Sequence, residues 1–515
     1  MLLLAIVALF ATAITGCGGD DDGGEDVDVG PAAAAPADAP IYLDATVKPA
    51  GAEASDAEGA LGKVLDTDDP GGRLISLIDE EGQEEPPARR FTYQADIEPW
   101  LGDQIGFAFL NFAEEENAAA IVETTDPDAA LAFARKSAGA TEMNPAPQEY
   151  EGVQYQTAPA AEEGDFEIFG IVDNFLVYGT LAGFKEVVDA SRGDSLGDSD
   201  EFTDALADLP DDRLGTLYTV PRNLLRAIPS DEIDQGTRAL LENAAGENLD
   251  SPVSGALTAT PESFDLEFIA EGEDLETPES ALIGEVPADA WLAFGIGDLG
   301  STVRRSLDQL RDADIPGLDQ ALSQLEGTTG SSLDELTDAL GDSVIYVRGV
   351  NEPTLAGALV VQVKDPELTG RLLSQLQGLL TLGGVAGVKA LSLPGGGSGF
   401  QINDPSNFPQ PIELAQQGDK FVIGYGNGSA QQALQPAEPL SGTPTFGAAK
   451  DQVSALGADL FLSFPQIFQL AESEGAKKDS DYLEAKPYID ALEYLISGSG
   501  TDDGKAEAKA IVGLK

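Results

Sequence analysis

A glycine-rich segment, residues 295–300 (GIGDLG), resembles a ligand site more closely than any other part of the sequence, because it fits the G-x-G-x-x-G pattern of dinucleotide-binding loops. A strand-like run, residues 291–294, precedes it, and an amphipathic run, residues 301–310, follows it, as such a loop requires. The corresponding segment of the first half, residues 44–49, contains no glycine. The amphipathic run also leads through Pro316-Gly317 into a second helix, where a nucleotide-binding unit needs a strand. We therefore predict no cofactor site.

Two acidic segments resemble calcium-binding loops, namely residues 66–71 (DTDDPG) and 198–201 (DSDE). Neither has the alternating ligands and the closing glutamate of an EF-hand loop. Helix caps and turns use the same residue types, because Asp and Ser side chains accept hydrogen bonds from backbone N–H groups. We predict no metal site, and weak calcium binding stays an open alternative.

The composition removes most catalytic chemistry. The 515 residues include no histidine and one cysteine, Cys17, so the chain has no Ser-His-Asp or Cys-His site, no imidazole metal ligand and no intrachain disulfide. A glycosidase needs only two carboxylates, but 91 acidic residues give no basis for choosing a pair. We predict that the protein is not an enzyme and has no catalytic residues. The net charge of −63 repels phosphate backbones, so we predict no nucleic-acid partner.

Cys17 lies in the most specific motif of the chain. The apolar residues 2–14 have the length of a signal-peptide core and fall short of the ~20 residues that a membrane-spanning helix needs. They end in Ile14-Thr15-Gly16-Cys17, which resembles the lipobox of bacterial lipoproteins, although no Lys or Arg precedes them. We predict a signal peptide over residues 1–17, lipidation of Cys17 and an acidic Gly/Asp/Ala/Pro tether over residues 18–37. The protein is then lipid-anchored at the cell membrane, on the extracytoplasmic side (periplasm or cell surface).

A second apolar run, residues 376–388, mixes large aliphatic side chains with glycines. Its aliphatic members are Leu376, Leu379, Leu380, Leu382, Val385 and Val388. Apolar stretches of this length usually belong to a core, so we expect a buried helix end and turn. The alternative is a pocket in which the small residues leave room for an acyl chain.

The chain also repeats its landmarks in one order at a nearly constant spacing. The matched segments are Pro36–Ala39 with Pro287–Ala290, Leu101–Asp103 with Leu340–Asp342, Asp126-Pro127 with Asp365-Pro366, Tyr218–Pro221 with Leu462–Pro465, and Phe202 with Phe446. We predict a tandem duplication of one domain. The first repeat covers residues 38–272, the connector residues 273–285, and the second repeat residues 286–515.

The elements of each repeat predict an α+β fold, a largely antiparallel sheet with helices packed on it. Asp126-Pro127 and Asp365-Pro366 each begin a helix, with Asp as N-cap and Pro at the first helical position. Hairpins turn at Asp173-Asn174 and at Gly418-Asp419, residue types that tolerate positive φ. Strands joined by hairpins, with helices grouped between them, are typical of antiparallel sheets.

The Pro-Ala-Asp-Ala opening, the mark at residues 100–103 (WLGD) and the Asp-Pro helix starts resemble an uncharacterised family of secreted bacterial proteins, domain of unknown function (DUF) 3352. The resemblance covers most of residues 36–515 and implies no activity or site. We predict an exported, lipid-anchored envelope protein that is a non-enzymatic binding or structural module, with an envelope protein as its partner. The alternative is a carrier of a lipid or other apolar ligand.

Overall fold

The computed structural model describes residues 29–112, 117–140, 145–158, 167–229, 233, 237–238, 241, 246–271, 279–312, 317–502 and 504–515. The chain divides into two compact units between Glu273 and Asp274, at the start of the predicted connector. Cys17 and the predicted lipobox lie outside the described residues. In the part of the chain that is described, no helix has both the length and the apolar character needed to cross a membrane.

The first unit is built on an antiparallel sheet. Its strands are β1 (Ile41–Thr46), β2 (Leu101–Asn111), β3 (Asn117–Thr124), β4 (Gln148–Tyr150), β5 (Val153–Thr157), β6 (Ile168–Val172), β7 (Phe175–Gly179), β8 (Gly215–Thr219), β9 (Val253–Thr260) and β10 (Ser263–Glu271). They pair in the order β10-β9-β8-β1-β2-β3-β7-β6-β5-β4. Its helices are α1 (Gly51–Val64), α2 (Pro70–Glu84), α3 (Pro127–Ser137), α4 (Leu181–Ala190), α5 (Asp200–Ala207) and α6 (Pro221–Ala227), with a π-helical turn at Tyr93–Ile97.

The second unit also contains an antiparallel sheet. Its strands are β11 (Ala290–Ile296), β12 (Leu340–Arg348), β13 (Ala356–Val363), β14 (Val388–Ala390), β15 (Ser398–Ile402), β16 (Ile412–Gln417), β17 (Lys420–Tyr425), β18 (Ala458–Ser463), β19 (Leu492–Asp502) and β20 (Lys505–Leu514). They pair in the order β20-β19-β18-β11-β12-β13-β17-β16-β15-β14. Its helices are α7 (Leu299–Asp312), α8 (Leu318–Thr329), α9 (Leu333–Asp338), α10 (Pro366–Leu382), α11 (Ser429–Leu434), α12 (Pro444–Gln452), α13 (Phe464–Ser473) and α14 (Ser480–Ile489).

The strand order of the second unit is that of the first with each label raised by ten. Both units also share a local irregularity at the repeated Leu-Gly-Asp segment, which begins β2 and β12. Pairing with the next strand shifts register between Leu101 and Ile105 in one unit and between Leu340 and Ser343 in the other. The motif therefore begins its strand with an irregularity of the β-bulge type in both places.

The predicted helix starts and hairpins are confirmed. Asp126 accepts a hydrogen bond from the Ala129 N–H at 3.1 Å, and Asp365 accepts one from the Leu368 N–H at 2.9 Å. The two hairpins turn through Asp173 (φ 51°) and Gly418 (φ 61°), both in the left-handed region. Antiparallel sheets with connecting helices in both units also confirm the α+β class.

One face of each sheet is buried in a large apolar cluster. In the first unit the rings of Tyr42 and Phe202 meet edge to face, with centroids 5.8 Å apart. In the second unit Phe446 and Phe461 make the same type of contact at 5.2 Å. The other face of the sheet is covered in the first unit and exposed in the second, and the candidate site lies on the exposed face.

Candidate apolar-ligand site

The apolar run at residues 376–388 forms the end of α10 and the turn after it, as expected, but most of its large side chains are not buried. Leu379 is 55% exposed and Leu382 is 88% exposed, while Leu376 and Val385 also belong to the exposed class. The prediction of a buried helix end was therefore wrong. The buried residues of α10, Leu368 and Leu373, lie in the first half of the helix, and from the run itself Leu380 and Val388 pack against the cluster that contains Leu373. The exposed leucines lie in the second half of the helix.

The outer face of the second sheet is apolar and open as well. Phe294 pairs with Ile345, Ile345 with Leu359, and Leu359 with Ile423, so these four side chains from β11, β12, β13 and β17 lie in one row on one face. Phe294, Ile345 and Ile423 are 41%, 43% and 39% exposed. Four adjacent strands at ~4.8 Å spacing make this row roughly 14 Å long.

The same row is closed in the first unit. There the register pairs Leu43 with Phe107, Phe107 with Ala120, and Ala120 with Tyr178. Phe107 is only 8% exposed, because it belongs to a cluster that contains Trp100 and is packed by side chains of α2 and α3. The fold can therefore cover this face, and the second unit leaves it uncovered.

Two helical walls border the open row in the second unit. On one side α7 contacts β12, and on the other α10 contacts β15 and β16. The strands β13 and β17 lie between β12 and β16, so Leu359 and Ile423 occupy the floor between the walls. The helix α8, which follows α7, has no side chain in the buried class, and its Leu325 is exposed. We call this feature the apolar groove.

One flank of α10 is turned toward the opposite wall. Arg371, Gln375, Gly378 and Leu382 follow one another at the three- or four-residue spacing that places side chains on one flank. The Arg371 Nη2 donates a hydrogen bond to Ser331 Oγ at 3.5 Å, and Ser331 lies between α8 and α9. A Cβ at Gly378 would meet nothing within 4 Å, so this flank borders open space.

The α10 wall carries no charge beyond Arg371. Residues 372–388 include no Asp, Glu, Lys or Arg, although 23% of the chain is charged and its net charge is −63. Arg371 itself is hydrogen-bonded to Ser331. Beyond Arg371 the wall can therefore supply apolar contact and uncharged polar groups.

Packing explains the first and the last glycine of the G-x-G-x-x-G segment. A Cβ at Gly295 would lie 2.8 Å from the Ser280 Cβ, and a Cβ at Gly300 would collide with the Thr337 carbonyl oxygen. Between them, the Asp298 carboxylate accepts hydrogen bonds from Ser301 Oγ and Lys364 Nζ, and these contacts lower its pKa. Through these contacts the segment stabilises the start of α7 against the strands of the second unit.

The two segments that resemble calcium loops act as helix caps. Asp69 accepts a hydrogen bond from the Gly72 N–H at 2.9 Å at the start of α2. Ser199 caps α5 by accepting one from the Phe202 N–H at 3.3 Å, and Ser195 Oγ donates to Asp198 at 2.8 Å. Among the described residues, no three acidic or cysteine side chains converge on a point where a metal ion could bind.

Comparison with known proteins identifies a family and no function. The family model described as Protein of unknown function (DUF3352) matches residues 87–495. Searches of the curated proteins and of the solved structures gave no match. The match includes the repeated Leu-Gly-Asp and Asp-Pro segments of both units. It confirms the family resemblance that was inferred from the sequence. Because the matched residues make up most of the chain, the protein belongs to this family of unknown function.

Proposed function

We propose that the protein is a lipid-anchored, extracytoplasmic binding protein and that its apolar groove binds the hydrocarbon chain of a lipid. The observation that carries the proposal is the open row of Phe294, Ile345 and Ile423, set against the covered row in the first unit. Exposed apolar surface is unfavourable by ~25 cal/mol per Å². A contiguous exposed apolar row is therefore typical of a surface that takes up a ligand or a partner.

The chemistry of the groove favours a hydrocarbon chain over a protein partner. Protein interfaces draw most of their binding energy from Trp, Tyr and Arg. The floor of the groove offers Phe, Ile and Leu, and Arg371 is the only residue of the types Trp, Tyr and Arg in α10. Residues 372–388 carry no charge. Each methylene that moves from water into such a site contributes about 0.8 kcal/mol, so a chain of a dozen carbons is sufficient for tight binding.

We also propose that the two units are copies of one domain and that only the second copy binds the ligand. The shared strand order, the shared irregularity at Leu-Gly-Asp and the Asp-Pro caps are what two copies of one domain would retain. An isolated bridge pairs Pro36 with Ser195 in the first unit, and another pairs Pro287 with Pro439 in the second. One copy then retains a closed outer face, while the other has opened that face for a ligand.

The proposal contains no reaction. It rests on binding alone, because a chain without histidine and with Cys17 as its one thiol lacks the usual nucleophile–base pairs. Cys17 serves instead as the attachment point of acyl chains. The acidic tether after it holds the two units away from the membrane surface.

A dye titration with matched variants tests the groove. N-phenyl-1-naphthylamine is uncharged and fluoresces in apolar sites, so the wild-type protein should give a saturable signal. Leu382→Glu should weaken binding at least tenfold, because Leu382 is exposed on the flank of α10 that is turned toward the opposite wall. Leu483→Glu is the control, since Leu483 is also a helical leucine, in α14, and is 51% exposed. An equal loss in both variants, or no saturable signal in the wild type, would refute the proposed site.

The anchor needs a separate test. Cells that express the full chain are fed an alkyne-labelled fatty acid, and the protein is probed for label and for sedimentation with membranes. The wild type should be labelled and membrane-bound, and Cys17→Ser should lose both properties. Equal labelling of the two proteins would contradict lipidation at Cys17.

A further inference from the structure

We propose that a cavity in the first unit, beside Asp44, binds a small organic ammonium ion. The cavity has a volume of about 320 Å³ and lies where β1 and β8 meet the start of α1 and the loop after α5. Its charged lining residues are Asp44, Glu53, Asp211 and Arg213. The remaining lining residues are Val29, Thr46, Gln104, Leu206, Ala207 and Thr216. Its volume is at the small end of the range for ligand pockets, ~300–1,000 Å³.

The fold itself does not require a carboxylate at position 44. Tyr42 in β1 pairs with Ala108, and the matching pair in the second unit is Ala293 with Tyr346, so Asp44 corresponds to Gly295. At Gly295 the chain fills the space itself, because the Ser280 Cβ lies 2.8 Å from where a Cβ would be. The first unit has a cavity at this place and turns a carboxylate into it.

The carboxylate is unfavourable for the fold. Burial raises the pKa of Asp44 to about 6, although hydrogen bonding to Thr216 and the nearby Arg213 charge act in the opposite direction. Burial and the neighbouring Asp44 carboxylate also raise the pKa of the Tyr42 hydroxyl. Ionisable groups with perturbed pKa values are concentrated at binding and catalytic sites. An N–H donor in the cavity would pair with the Asp44 carboxylate.

The charged residues that line the cavity favour binding of a cation. Three carboxylates and one guanidinium line the cavity, and the Arg213 Nη1 already donates to the Pro210 carbonyl oxygen at 3.0 Å. Burial and the neighbouring Asp212 also raise the pKa of Glu53, with Arg213 opposing them. A positively charged ligand would relieve the excess negative charge that these groups hold above about pH 6.

The lining selects an organic cation over a metal ion. No three acidic side chains of the described residues converge as metal ligands, and the cavity is much larger than a coordination shell. Val29, Leu206 and Ala207 add apolar surface to the lining, which suits the hydrocarbon part of an amine. The sequence offered one signal for this site: Asp44 is the only charged residue in the run of residues 41–47 (IYLDATV).

Isothermal titration calorimetry of the full chain with 1,4-diaminobutane tests the proposal. The titration is run near pH 8 in about 0.3 M NaCl, because salt screens diffuse binding of cations to the acidic surface. We expect one saturable site, weakened at least tenfold by Asp44→Asn and by lowering the pH below about 6. The control is Asp128→Asn, since Asp128 is exposed in the first turn of α3.

Three outcomes would overturn the proposal: no saturable binding, equal binding by wild type and Asp44→Asn, or displacement of the amine by equimolar CaCl₂. A misfolded variant cannot imitate the expected result, because removal of the buried charge should raise the melting temperature of Asp44→Asn near pH 8. Dye binding to the apolar groove should be the same in Asp44→Asn and in the wild type. Failure of this site therefore leaves the proposed function intact.

Discussion

A pair of alanine substitutions compares the covered and the open sheet face at equivalent positions. Phe107 in β2 and Ile345 in β12 occupy the same place in the register of their units. Phe107 is 8% exposed, and Ile345 is 43% exposed. Truncation of each side chain therefore reports how well its face is covered.

The expected magnitudes differ several-fold. Phe107→Ala removes a ring from a packed cluster, and such substitutions lower the free energy of unfolding by about 3–5 kcal/mol. Full burial of an isoleucine side chain is worth about 1.5–3 kcal/mol, so Ile345→Ala, with little more than half of that burial and no enclosed cavity, should cost about 1 kcal/mol. The free energies of unfolding of the two variants should therefore differ by about 2 kcal/mol or more.

Native-state hydrogen exchange read by mass spectrometry is the appropriate assay, because it assigns the loss to one unit where a single melting curve does not. Peptides from β2 and β3 should lose protection in Phe107→Ala, while peptides from β12 and β13 should change little in Ile345→Ala. Bound lipid is first removed by passing the protein over a lipid-adsorbing resin. Any protection from exchange then comes from the protein alone. If Ile345→Ala costs as much as Phe107→Ala, the row is covered in solution and the reasoning fails.

Three further predictions concern single residues. The pKa of Asp44 is raised from 3.8 to about 6, so the folded state binds the carboxyl proton more tightly than the unfolded chain does. Asp44→Asn should therefore raise the free energy of unfolding near pH 8 by up to about 3 kcal/mol. Urea titrations should show that this added stability disappears as the pH falls through 6 toward 4. Gly300→Ala should lower the melting temperature through a collision with backbone, whereas Gly327→Ala, where a Cβ meets nothing within 4 Å, should raise it slightly. Asp126→Ala and Asp365→Ala should each cost about 1 kcal/mol in urea unfolding, as losses of an N-cap do; a change below 0.3 kcal/mol would contradict the capping role.

The parts of the fold that the sequence predicted are those with local causes. Asp126 and Asp365 cap helices through backbone N–H groups two or three residues away, and Asp173 and Gly418 turn hairpins through their own φ angles. The repeated Leu-Gly-Asp segment could be recognised as a landmark, although its role as an irregular strand start could not, because pairing with a distant strand creates that role.

The candidate sites depend on contacts between distant segments, and the sequence predicted them less well. The apolar run at residues 376–388 indicated a helix end and a turn, but it did not show whether another element covers them. Asp44 was not recognised at all, because its burial arises from residues more than a hundred positions away, such as Arg213 and Thr216. Both sites were recognised by comparing equivalent positions of the two units, Phe107 with Ile345 and Asp44 with Gly295.

Native mass spectrometry of residues 18–515, purified from a bacterial periplasm without detergent, tests the central claim most directly. We predict a reproducible non-covalent adduct that extracts into organic solvent, and its absence from Leu382→Glu but not from Leu483→Glu. A bare polypeptide mass for the wild type, even after incubation with phospholipid and repurification, would contradict lipid binding in the apolar groove.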